Sequence, residues 1–268
     1  MDVLDQDDKL AAAAVEAIRT GDVQSLQRLL AGNPGLAAAR IVRQETSDGA
    51  RNAGESSLTL LHVATDWPGH FPNGAAVITL LTESGVDVNA RFAGAHAETP
   101  LHWAASTDDV EAIDALLDAG ADLEAPGAVI AGGTALDDAV AFAQWRAAHR
   151  LVERGARFAL WHAAALGRMD AIQSHFDGAE LPEQYSWGAS GAEPADKINV
   201  SFWCACHGGQ QRPAEYLLAR GADLNWVSVW DGLTPLDAAQ RSEADGLVRW
   251  LHSLGARKAG KLRGPLGS

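Results

Sequence analysis

Between residues 99 and 125 the apolar positions recur at spacings of three and four: Leu101, Ala104 and Ala105, then Ile113, Leu116 and Leu117. Such spacing puts each set on one face of an α-helix. Thr99-Pro100 is a helix start, with the Thr side chain as cap and Pro where its missing N–H costs nothing. Gly120 is a helix stop, since glycine tolerates the positive φ of a C-terminal cap. The first face is thin, mostly alanine, so the second helix can lie close against it. The stretch predicts two short helices joined by a turn, a unit that cannot bury its own apolar surface and therefore needs neighbours stacked on it.

The same spacing returns along the chain. With Thr99 as place zero, the stop glycine falls at place 21, and Thr134 to Gly155 and Val200 to Gly221 keep that interval. Further units start near residues 12, 59, 158 and 234. The first is built on Ile18, Leu26, Leu29 and Leu30 around a Thr20-Gly21-Asp22 turn. A long polar connection follows, in which Arg40-Ile41-Val42 and Leu58-Thr59-Leu60 read as hairpin arms and 47–57 as their mobile tip. The unit starting at Thr59 carries an insertion at 66–74, where Trp67, His70 and Phe71 are too apolar or specific for a simple spacer. The unit starting at Phe158 is interrupted by an irregular excursion over 177–197 that bears Tyr185 and Trp187. Residues 1–9 read as a disordered lead-in and 259–268 as a disordered tail, whose last five residues, G-P-L-G-S, look like a cloning remnant.

The run T-P-L-H-W-A at Thr99, with its period of roughly 33 residues, resembles the ankyrin repeat. The resemblance implies an all-α ankyrin-repeat solenoid of about seven helix pairs with short β-hairpin fingers, forming a single domain over 1–258. It also implies that His62 and His102, with Asp137 and Asp237 at the same place, are scaffolding that ties neighbouring turns, and that Trp161 and Trp203 pack between helices. Places four, seven and eight of each repeat would face a concave groove. One wall of that groove then collects Trp67, Trp103, Asp138, Phe142, His162, Cys204 and His207, with His70 and Phe71 supplied by the inserted turn. An apolar cleft with a few convergent polar groups is the usual form of a binding site.

Charge and cysteine content narrow the function. A formal net charge of −14 with no basic cluster argues against nucleic-acid binding. Two cysteines, Cys204 and Cys206, cannot build a disulfide framework or a thiolate metal site. Their alternation on one helix predicts that Cys204 faces the groove and reacts while Cys206 is inert. No apolar run is long enough to span a bilayer, and a reduced, cytoplasmic, monomeric protein without cofactor or metal is expected. Arg outnumbers Lys, and with the Ala and Gly excess this points to a stand-alone array from a GC-rich bacterial gene.

Three functions fit these residues. The leading one is a protein-interaction module presenting the groove to a protein partner. A small-molecule binder uses the same Trp, His and Asp residues. An enzyme would draw acid-base chemistry from His162 and Asp138, with Cys204 in the nucleophile's place of that order. Neighbouring helices pack about 8–10 Å apart, which strains the hydrogen-bond reach that a nucleophile and its base require. Binding is therefore preferred, and whether the groove is catalytic stays open on the residues alone.

Overall fold

The computed structural model describes residues 3–44, 55–182, 187 and 194–262. Their contacts divide the chain into two units, 1–156 and 157–268.

The first unit opens with β1 (Val3–Asp5), α1 (Lys9–Thr20), α2 (Val23–Gly32), β2 (Arg40–Gln44) and β3 (Glu55–Leu58). β2 is central, parallel to β1 and antiparallel to β3. The lead-in is therefore ordered from Val3, because Leu4 pairs beside Ile41 and the Asp8 carboxylate caps α1 at Leu10 and Ala11 N–H. The first hairpin arm lies where the sequence put it. The second does not, because Thr59 is already a helix cap and the strand ends at Leu58. Most of the expected tip, 47–54, lies outside the described residues.

Three helix pairs follow: α3 (Leu60–Thr65) with α4 (Gly74–Glu83), α5 (Pro100–Ser106) with α6 (Val110–Asp118), and α7 (Ala135–Ala141) with α8 (Trp145–Glu153). Leu101, Ala104, Ala105, Ile113 and Leu116 are at 0 or 1 % exposure, where the periodicity put them, whereas Leu117 is half-buried and Ala112 takes its place in the core at 1 %. Alanines on the inner helices let α5 lie against both α3 and α7. Each pair turns through a residue at positive φ, such as Asp108 at 56° and Ala143 at 59°.

The second unit holds α9 (Leu160–Ala165) with α10 (Met169–Phe176), α11 (Pro194–His207) with α12 (Gln211–Leu218), and α13 (Pro235–Arg241) with α14 (Asp245–Ser253). A last turn, α15 (Ala259–Leu262), follows. Over 259–262 this differs from the expected tail, since Ala259 N–H donates to Asp237 Oδ2 at 2.8 Å and holds the turn on α13; 263–268 lie outside the described residues. The expected fingers are turns with one or two cross-bonds, such as Phe92 N–H to the Glu98 carbonyl, and among the described residues they hold one isolated bridge, Ser57 to Ala93, in place of strands.

Candidate functional site

A repeated helix-start device positions everything else. At Thr59 and Thr99 the backbone N–H donates to Nδ1 of the histidine three residues on, at 3.3 and 3.1 Å. Nε2 of each ring then donates to the carbonyl that leads into the next repeat, Glu98 for His62 at 3.2 Å and Gly133 for His102 at 3.4 Å. At Thr134 and Thr234 the helix-start half of the device is kept by Asp137 and Asp237, whose carboxylate oxygen accepts the backbone N–H. Burial holds both His62 and His102 down to about 4, so each ring is neutral in the fold. An unfolded histidine takes up its proton near pH 6.5. The stability contributed by these two rings is thus complete above about pH 6.5 and is lost as pH falls through about 4. Urea unfolding is expected to show the loss, on the order of 2 kcal/mol between about pH 6.5 and pH 5, and His102→Gln should flatten it.

His162 belongs to this device. Its Nδ1 accepts from Ala159 N–H at 3.1 Å, because α9 starts one residue later than a count from Phe158 implies. The ring is 4 % exposed and tied to its own helix start, which corrects its reading as a groove acid-base residue.

In the first unit, Trp103 is half-buried, edge-on to His62 at 4.9 Å and beside Phe92 at 5.3 Å, and its indole hydrogen-bonds the Glu98 carboxyl. Asp138, at 0 % exposure, accepts from Ile130 N–H at 3.3 Å through Oδ1, while Oδ2 has no hydrogen-bond partner among the described residues. Burial first, then the neighbouring Glu98 charge, pushes its acid up to about 8. Asp138 is therefore a neutral acid inside the wall, not an open groove carboxylate. Glu98 was not singled out from the sequence; lying just before the Thr99 cap, it carries no signal of its own.

The inserted turn is held at both ends. His70 N–H donates to Asp109 Oδ2 at 2.7 Å and His70 Nε2 to the Thr107 carbonyl at 3.0 Å. Asn73 Nδ2 donates to the Gly21 carbonyl at 3.0 Å. Gly69, at φ 73°, lies so close to the next turn that a Cβ there would sit 2.7 Å from Thr107 Oγ1. Phe71 is half-buried. Trp67, after a helix-capping Asp66 that Arg19 and Arg43 approach at 3.5 and 3.3 Å, stands 80 % exposed. Phe142, at the same place of its repeat, is 44 % exposed.

In the second unit the aromatics pack together. Trp187 is 1 % exposed, edge-on to Trp230 at 5.4 Å and to His162 at 6.2 Å. Trp230 meets Trp203 at 4.9 Å and Trp226 at 5.6 Å. Trp203 donates from Nε1 to the Leu233 carbonyl at 3.2 Å. His207, 2 % exposed, lies against the Trp203 ring at 5.1 Å, with Arg241 Nη2 at 3.4 Å from its Nδ1. Trp187 thus folds onto its own unit; Tyr185 lies outside the described residues.

Cys204 and Cys206 are both at 0 % exposure, and burial pushes the Cys206 thiol far up. The expectation of a reactive Cys204 is corrected. α11 packs against α9, α12 and α13, leaving no open face over Val200–His207. Mass-mapped alkylation of the native protein is expected to leave both thiols unmodified until the chain unfolds, because reaction requires an accessible thiolate.

Among the described residues no His, Cys, Asp or Glu group is placed to hold a metal ion, and no helix is long and apolar enough to cross a membrane. No curated protein matches the chain. Residues 97–128 match the ankyrin repeat family model. That stretch holds the Thr99–His102 helix start, α5, α6 and the Gly120 stop, and its match supports an ankyrin-repeat protein.

Proposed function

We propose that each unit is a stack of ankyrin helix pairs and that the protein is an interaction module whose first unit engages a protein partner through Trp67 and Phe142. The observation that carries this reading is Trp67 itself, an indole 80 % exposed on a turn tied to the turns on either side. A large aromatic held rigidly in water loses little conformational freedom on meeting a partner, and such residues dominate interface energies. The ankyrin match supports the same class of function.

Burial of Asp138 and His162 removes support from the acid-base alternative. Trp67→Ala should change stability by no more than about 0.5 kcal/mol, as an exposed surface change. In capture from an extract of the source cells, the Trp67→Ala/Phe142→Ala double variant should lose a specific protein that the wild type retains. An affinity loss of about 30-fold or more is expected, as for an interface hot spot. A partner retained equally by the folded double variant would contradict the reading.

A further inference from the structure

The outer helices of the first unit repeat a slot whose contents change from one repeat to the next. Between α6 and α8 the slot is filled. Arg150 Nε donates to Asp114 Oδ1 at 2.8 Å, and Arg154 bridges Asp114 Oδ1 and Asp118 Oδ1 at 2.6 Å each. The two carboxylates and the two guanidinium groups are each one helical turn apart on their own helix.

One repeat earlier the donors are missing. Aligned on the stop glycines Gly85, Gly120 and Gly155, Arg150 and Arg154 of α8 correspond to Ala115 and Ala119 at α6, and Asp114 and Asp118 of α6 correspond to Thr79 and Glu83 at α4. The slot between α4 and α6 is left as a groove of about 580 Å³, whose lining includes the small residues Thr79, Thr82, Ala115 and Ala119. Glu83, Glu111 and Asp118 stand exposed around it. Small residues make room for an aliphatic stem, and the Glu83 and Glu111 carboxylates lie among the lining residues, within the groove's reach for its charged end.

We propose that this groove takes a partner helix carrying two arginines one turn apart, its guanidinium groups occupying the place that Arg150 and Arg154 occupy in the next slot. Charge complementarity selects the occupant, since Glu83 and Glu111 stand exposed at the groove, beside the arginine-bound Asp114 and Asp118, in a chain of net charge −14. The planar guanidinium matches carboxylates through paired donors, whereas an ammonium offers only a point charge. None of these residues belongs to the Trp67 and Phe142 pair, so this is a second surface.

The test uses the full chain and a fluorescein-labelled alanine-based helical peptide with two arginines four residues apart, followed by anisotropy. Saturable binding is expected that weakens with added salt and is absent for the peptide with glutamine at both positions. Ala115→Arg/Ala119→Arg, which gives α6 the arginines that α8 has, should weaken binding about tenfold or more. Glu83→Gln/Glu111→Gln, two exposed changes that leave the core intact, should also weaken it, by about threefold or more. Circular dichroism checks that each variant is folded. No binding by the arginine peptide, equal binding by the glutamine peptide, or undiminished binding by the folded glutamine variant overturns the proposal.

Discussion

Leu116→Ala is expected to lower the unfolding free energy of the first unit by about 2–5 kcal/mol, the range for a buried leucine cut back to alanine. Leu116 is at 0 % exposure on α6, which packs against α4 on one side and α8 on the other. The cost depends on how far the surroundings can collapse into the space left behind. Here collapse is restricted, because α6 is fixed at its start by the Asp109 carboxylate on Ala112 N–H, at its middle by Arg150 and Arg154 on Asp114, and at its end by Arg154 on Asp118. Denaturant unfolding reads the loss directly, and a midpoint that barely moves would place Leu116 outside the inter-repeat core.

Asp138→Asn is expected to stabilise the protein, and more so as pH rises. Asp138 holds its proton up to about pH 8 in the fold, whereas an unfolded aspartate releases it near pH 4. Its contribution is fully present below about pH 4 and is lost as pH rises through about 8. Asparagine keeps the shape and the acceptor for Ile130 N–H but cannot ionise. At about pH 9 the variant should exceed the wild type by a few kcal/mol, on the order set by a shift of several pKa units, with the two converging below about pH 4. Unfolding curves that stay parallel across that range would show that Asp138 is ionised at no cost. Since Asp138 opposes His62 and His102 below about pH 6.5, the variant should also steepen their acid-side decline.

The parts of the fold legible in the sequence were those where local chemistry and periodicity agree. Thr99, Pro100 and Gly120 each have a role at a helix end that can be read without a structure, and the family match falls on that stretch. Thr59 and Thr134 repeat it with their His or Asp three residues on. The candidate site was less legible because facing a groove and being exposed are different properties. Asp138, His162, Cys204 and His207 are buried. Asp138 is enclosed near the finger residue Ile130 and beside Glu98, neither of which a helix count reveals. His162 falls one place off because the cap of α9 is Ala159, which lacks the hydroxyl that marks the other starts. Cys204 was misjudged because alternation on a helix yields an exposed side only if one side is free, and α11 is flanked by α9 and α13. The inserted turn gave the opposite lesson. Trp67, His70 and Phe71 were conspicuous in composition, yet only the bonds to Gly21, Thr107 and Asp109 divide them into a pinned base and an exposed indole.

The most direct test of the central claim is photo-crosslinking from position 67 in the source cells. A benzophenone amino acid replaces Trp67, with the same group at exposed Asp87 as control. The account predicts a discrete protein adduct from position 67 that is absent from position 87. Adducts no different between the two positions, or none at 67 while the protein is folded and abundant, would contradict it.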